Sequence, residues 1–261
     1  MAGRLEGKVA LIAGASKGIG RATAVRMAEE GATVVVAARS MDLLDELVKE
    51  IEGKGGQAEA ARLDIGDLDN YRKLIRDTAE KYGHLDIFVH NAMAGSGAPF
   101  MQLTHEIWND NMKLNAEACF AATQEAAKAM IPQGKGSIIN IASIGGIKVP
   151  LGHCAYGASK AAMLHMTRCA AAELAPLNVR VNTVAPGQIE TEVMFGALEK
   201  WAKDVGGDVE VITKTMRDMI PMKRFGLDTE LANAVVFLAS DEASFITGEN
   251  IMVDGGRLGK M

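Results

Sequence analysis

Cysteine is scarce in this chain of 261 residues: Cys119, Cys154 and Cys169 are odd in number and sit in apolar, helix-like contexts. They offer no disulfide framework and are expected to be reduced core thiols of a cytoplasmic protein. The five histidines (His84, His90, His105, His153 and His165) show no ligand spacing with the cysteines or with one another, so no metal site is expected. No apolar run approaches the length that spans a bilayer. The short run near the N-terminus is interrupted by glycines and Lys17 and preceded by Glu6, which fits a buried first strand better than a secretion signal. Lys/Arg blocks are also missing and the formal net charge is −5, so neither nucleic acid nor a membrane surface is favoured as a partner. What remains is 48% hydrophobic and 23% charged residues, the balance of a soluble globular protein with a well-filled core. The length suits one large α/β domain or two small ones.

The chain has no internal repeat, low-complexity tract or linker. Short β-branched runs alternate instead with longer helical patterns. Strands are predicted at Lys8–Ala13, Thr33–Ala37, Ala58–Leu63, Ile87–His90, Ser137–Ala142, Arg180–Val184 and Asn250–Val253. Helices are predicted at Gly18–Glu30, Met41–Gly53, Asp69–Tyr82, Thr104–Ile131, Ala155–Ala175 and Thr229–Ala239. A run such as Val34–Val36 is apolar on both faces, as in a parallel sheet covered by helices on each side. The expected fold is therefore a single Rossmann-type, doubly wound α/β domain of three layers over residues 1–261, with its ligand site at the carboxyl ends of the strands.

Directly after the first strand comes Gly14-Ala15-Ser16-Lys17-Gly18-Ile19-Gly20, leading into a helix. Glycines allow a tight strand-to-helix turn, and a helix N-terminus offers unpaired N–H groups to a pyrophosphate. An ordinary glycine-rich turn is the alternative, and the position after the first strand argues against it. The end of the second strand decides which dinucleotide is bound. An acid there would take the ribose 2′-hydroxyl, whereas Arg39 stands in its place and the first acid is Asp42. With Lys17 as a second cation, NADP(H) is the expected cofactor, ahead of NAD(H).

Tyrosine is rare, with three in the chain, yet Tyr156 stands four residues before Lys160 among small residues. On a helix the pair shares a face, and the small neighbours leave room for something flat against it. Ser143 follows the strand Ser137–Ala142 just upstream. From Lys8 to Gly256 the chain resembles the short-chain dehydrogenase/reductase family in its single-domain form. The glycine motif, Asp64 in LDI, the HNAM stretch, Asn115, Ser143, Tyr156-x-x-x-Lys160, Pro186-Gly187 and the closing VDGG occur in the family's order. A lone Y-x-x-x-K is weak, because it fits many helices; the ordered set is specific.

The resemblance implies an enzyme in which Tyr156 is the general acid for a carbonyl oxygen, or the base in the reverse direction. Lys160 would lower the tyrosine pKa from about 10 and hydrogen-bond the nicotinamide ribose. Ser143 would orient the substrate oxygen and Asn115 would hold a water of a proton relay. Asp64 would meet the adenine amino group with Ile65 beside the ring, and Asn91 and Ala92 would form the cofactor-contacting strand end. Pro186, Gly187, Ile189 and Thr191 would meet the nicotinamide end. The sequence departs from the family at Ala13, at Met93, which adds bulk beside the cofactor, and at His90, expected to be a satisfied core histidine. A dinucleotide-binding sensor or scaffold of the same fold is the competing reading, and the intact Ser–Tyr–Lys–Asn set opposes it.

Residues 190–221 are long for a connection, and the family carries its substrate-covering lid there. Met93, Met194 and Phe195, with Ser143, are the candidate substrate contacts, since methionines make an adaptable apolar wall. The expected substrate is a hydrophobic ketone or secondary alcohol: a 3-oxoacyl thioester, a hydroxysteroid or another cyclic alcohol. The lid's Lys200, Lys203, Lys214 and Arg217 either face solvent or meet an anionic tail. Thr104–Ile131 and Ala155–Ala175 carry more small and apolar residues than one core face needs, and in relatives these helices pair across a two-fold, so a homotetramer is expected.

Overall fold

The computed structural model describes residues 3–149 and 151–260. Strand β1 (Val9–Ala13) is buried at every position. Its side chains alternate between two cores, Ala10 and Ile12 joining one and Val9, Leu11 and Ala13 the other. This is the period of a pleated strand with both faces covered. The strands β2 (Thr33–Ala38), β3 (Gln57–Arg62), β4 (Ile87–His90), β5 (Gly136–Ile141), β6 (Val179–Pro186) and β9 (Asn250–Val253) complete a seven-stranded parallel sheet in the order β3-β2-β1-β4-β5-β6-β9.

The first core takes Met27 from α1 (Gly18–Glu29), Leu44, Leu47 and Ile51 from α2 (Met41–Gly53), and Leu231 and Val235 from α9 (Asp228–Ala239). The second takes Tyr71 and Ile75 from α3 (Leu68–Tyr82), Ala122, Ala126 and Met130 from α5 (Ala118–Met130), and Ala171 from α6 (Cys154–Leu174). These spacings are the buried stripes of amphipathic helices. Each buried Leu or Ile contributes on the order of 2 kcal/mol relative to exposure. The result is the expected three-layer, Rossmann-type doubly wound fold. Because β1 leads outward to β2 and β3 while β4 starts the other half, the strand order reverses between β1 and β4, and a crevice opens at their carboxyl ends.

Three differences from the sequence reading stand out. The single helix expected over Thr104–Ile131 is broken into α4 (His105–Asn111), a π-helical segment (Met112–Glu117) and α5. A short pair, β7 (Ile189–Glu190) with β8 (Gly226–Leu227), brackets α7 (Glu192–Val205) and α8 (Val209–Asp218). Of the expected core thiols only Cys119 is buried. Cys154 is half-buried and Cys169 is exposed, because it lies on the outward face of α6.

Candidate active site

The turn after β1 is shaped by close backbone approaches. Gly14 has φ +83°, and a Cβ there would lie 2.5 Å from the Ala92 nitrogen. A Cβ on Gly20 would lie 2.1 Å from the Gly14 carbonyl oxygen, which already accepts a 2.7 Å hydrogen bond from Asn91 Nδ2. Asn91 thus ties the end of β4 to the glycine loop across the switch point. At the start of α1, Lys17 makes no side-chain capping bond and the first turn holds no acid. The leading N–H groups are free to meet an anion.

A cavity of about 330 Å³ opens over this turn, walled by Gly14, Ser16, Lys17, Arg39, Asp64, Ile65, Asn91, Ala92 and Met93, with Leu114 and Val193 closing it. A bare glycine turn, an uncapped helix end, an exposed Arg39 and an apolar strip at Ile65 fit a dinucleotide with phosphate at one end and a ring at the other. Not every expected cofactor residue lines it. Ile19 and Ile189 pack into the first core, and Ile189 is buried. Pro186 is buried at the end of β6, and Gly187 lies against the Asp254 backbone. The Thr191 hydroxyl caps α7 by accepting from the Met194 N–H at 3.2 Å. Lys17 is not a free cation either, since its ammonium pairs with Glu192 at 2.6 Å.

On α6, Tyr156 and Lys160 share a face as their spacing requires, with the Lys160 nitrogen 5.8 Å from the phenol ring centre. Lys160 is buried and donates to the Ile141 carbonyl oxygen at 2.9 Å. Burial lowers its pKa to about 8. Burial also raises the Tyr156 pKa above its ordinary 10, opposed by a hydrogen bond from Ser143. The expected depression of the phenol by the ammonium is not seen: burial dominates, the one opposing influence is Ser143, and the phenol keeps its proton at neutral pH. Ser143 lies two residues beyond β5, and its hydroxyl also accepts from the Gly145 N–H at 3.0 Å.

Asn115 lies in the π-helical segment, fully buried. Its Oδ1 accepts from the Ala94 N–H at 2.9 Å, and its Nδ2 donates to the Ala94 carbonyl at 2.9 Å and to Ser159 Oγ at 3.0 Å. Ser159 in turn donates to the Tyr156 carbonyl at 2.8 Å. One amide thus locks the loop after β4 to the helix that carries the tyrosine.

A family model described as Enoyl-(Acyl carrier protein) reductase matches residues 14–257. The 3-oxoacyl-[acyl-carrier-protein] reductase FabG of Thermotoga maritima is 41% identical over 253 residues, covering 97% of this chain and 98% of that protein. The chain belongs to the short-chain dehydrogenase/reductase family. Among solved structures, a point variant of actinorhodin polyketide ketoreductase with NADPH is 31% identical, covers 100% of both chains and superposes with a TM-score of 0.93. The 7α-hydroxysteroid dehydrogenase complexed with NADH and 7-oxo glycochenodeoxycholic acid is 34% identical, covers 97% of this chain and 95% of that one, and gives a TM-score of 0.90. As a short-chain dehydrogenase/reductase the protein is an enzyme that interconverts ketones and alcohols.

Several residues of the site escaped the sequence reading. Buried Asn111 donates to the Ser96 carbonyl at 3.1 Å and anchors the loop facing Tyr156. The exposed His153 sets its ring edge-on to Tyr156, 6.5 Å between centres, and its Nδ1–H donates to Leu151 O. Val193 and Glu192 reach the glycine loop from α7. Only proximity to recognised motifs could have flagged them: His153 stands three residues before Tyr156, and Glu192 follows Thr191. His90 is buried at 0% and shares a 2.8 Å hydrogen bond with the Tyr71 hydroxyl, but its Nε2 has no partner among the described residues, so it is a core histidine only half satisfied. Burial, reinforced by the Lys160 charge, lowers its pKa to about 3 and keeps it neutral.

Proposed function

We propose that the protein is an NADP(H)-dependent oxidoreductase that interconverts a hydrophobic ketone and its secondary alcohol, of 3-oxoacyl thioester, hydroxysteroid or cyclic alcohol type. The observation that carries this reading is the convergence of Ser143, Tyr156 and Lys160 beside the crevice at the strand ends. In reduction, the Tyr156 hydroxyl donates its proton to the substrate oxygen, and in oxidation the phenolate takes it back. Ser143 donates a hydrogen bond to the same oxygen and orients it. Lys160 places a positive charge behind the phenol, and Asn115 positions the Ala94 loop against α6. A bound nicotinamide dinucleotide supplies or accepts the hydride. Burial keeps the Tyr156 phenol protonated at neutral pH, the form that donates to a carbonyl oxygen.

Arg39 supports the choice of NADP(H). It follows β2 directly, lines the cavity and makes no ion pair among the described residues. Residues 190–221 act as the lid of a single domain spanning 1–261, and Met93, Met194 and Phe195 supply an apolar rim. Met93 and Phe195 are 46% and 42% exposed, side chains that a hydrophobic substrate would cover. Two of the lid cations already have partners: Lys214 pairs with Asp218 at 3.1 Å, and Arg217 lies over the Phe225 ring. Lys203 is exposed, and the Lys200 side chain lies outside the described residues. Unpaired thiols fit a reducing cytoplasm, and the exposed apolar groups on α5 and α6 fit a homotetramer.

The test is a panel of cyclic ketones, bile-acid ketones, 3-oxoacyl thioesters and sugars, assayed by consumption of NADPH and of NADH. Turnover of the first three with a clear NADPH preference, reversed towards NADH by Arg39→Asp, is the expected result. Turnover of sugars alone would overturn the apolar pocket, and equal kcat/KM for the two cofactors would overturn the cofactor choice.

A further inference from the structure

The cation expected to help bind a 2′-phosphate is already engaged by a carboxylate. Lys17 stands in the glycine loop just before α1, and its ammonium lies 2.6 Å from Glu192 Oε2. Glu192 is the first residue of α7, between Thr191, which caps that helix, and Val193. A Cβ on Gly18 would sit 3.1 Å from the Thr191 methyl carbon, so Thr191 rests on the glycine loop. Val193 forms part of the cavity wall. Three consecutive residues at the start of α7 therefore reach the loop or its cavity, and the middle one brings a negative charge to the cation expected to help bind phosphate.

We infer that Glu192 is a specificity-determining residue for the cofactor: it holds Lys17 and thereby weakens selection of the 2′-phosphate, leaving that selection to Arg39. This rests on the reading of the cavity as a dinucleotide site. A dinucleotide carrying the extra phosphate must draw Lys17 away from Glu192 or go without its charge, and the penalty falls harder on NADPH than on NADH. The side chains of the pair are 50% and 77% exposed, so the effect is screened and modest.

The experiment measures dissociation constants of NADPH and NADH by fluorescence titration for the wild type, Glu192→Gln, Lys17→Met and the double variant, at low and high salt. Glu192→Gln is expected to tighten NADPH by about two- to fivefold at about 0.05 M salt. NADH should change far less, and the gain should vanish at about 0.5 M salt or when Lys17 is also replaced. Equal tightening of both dinucleotides, no tightening, or a gain that survives Lys17→Met would overturn the inference while leaving the dinucleotide site standing. Failure of the wild type to bind either dinucleotide would overturn both. A wild-type preference for NADH would overturn only the NADP(H) assignment, because the Lys17-dependent change in selectivity is still read from the variants.

Discussion

Lys160 is a charged group taken fully out of water with no ion pair among the described residues, and its one described hydrogen bond goes to the Ile141 carbonyl. The spacing of Tyr156 and Lys160 and the strand-end position of Ser143 were legible in the sequence, because helix periodicity and strand pattern place them. The balance of forces on them was not, since burial depends on the whole packed layer. Burial lowers the Lys160 pKa from 10.5 to about 8. Between those values the folded chain binds fewer protons than the unfolded one. The destabilising contribution is thus complete below about pH 8 and fades as pH rises towards 10.5. Lys160→Met should therefore raise the melting temperature by a few degrees at pH 7, from at most roughly 3 kcal/mol less the lost hydrogen bond. The gain should shrink as pH climbs through that window, and turnover should be abolished. A melting temperature that falls at pH 7 would contradict this. Tyr156→Phe keeps the ring but removes the transferable proton. Turnover should drop by about 10²-fold or more with NADPH binding retained, and activity within a few-fold of wild type would remove Tyr156 from the chemistry.

At the scale of elements, most boundaries were read to within a residue or two, since β1, β4 and α2 carry unbroken apolar runs or clear stripes. The exception is Thr104–Ile131, whose periodicity predicts one helix. What breaks it is Asn115, whose partners Ala94 and Ser159 are 21 and 44 residues away in the chain. No local pattern reports contacts at that distance. π-helical segments persist where something compensates the irregular ladder, frequently at functional sites. Here the compensation is the double hydrogen bond to Ala94 and the link to α6. Asn115→Leu keeps similar bulk but strips both Ala94 backbone groups of their partner, and each unmade bond costs on the order of 1–3 kcal/mol. A melting point lower by several degrees is expected, with kcat reduced by about tenfold or more. Asn115→Asp, which keeps the acceptor for the Ala94 N–H, should lose less in kcat than the leucine variant. A leucine variant matching wild type in both stability and kcat would show that the clamp is dispensable.

At the scale of the molecule, the alternation of strands and helices was enough to place the crevice, because a doubly wound sheet has one switch point between β1 and β4. Contacts between distant surface segments, such as Lys17 with Glu192, carry no periodic signature and had to be seen. The outer faces of α5 and α6 lie between these cases. Their surplus of small and apolar residues was legible, and Phe120 and Ile131 are indeed 50% and 37% exposed. With Met166, Cys169 and Leu174 they line an open, mostly apolar hollow of about 320 Å³. A contiguous apolar surface of this kind is what a protein–protein contact covers, and two copies related by a two-fold can each bury the other's. Light scattering at micromolar concentration is therefore expected to report a particle of four times 27.7 kDa. Phe120→Glu would place a carboxylate in the middle of that contact and should reduce the particle to half its size or less, with the melting temperature falling as the subunits separate. A wild-type particle of 27.7 kDa would show that these helices face solvent and would leave their exposed apolar groups without a partner of this kind.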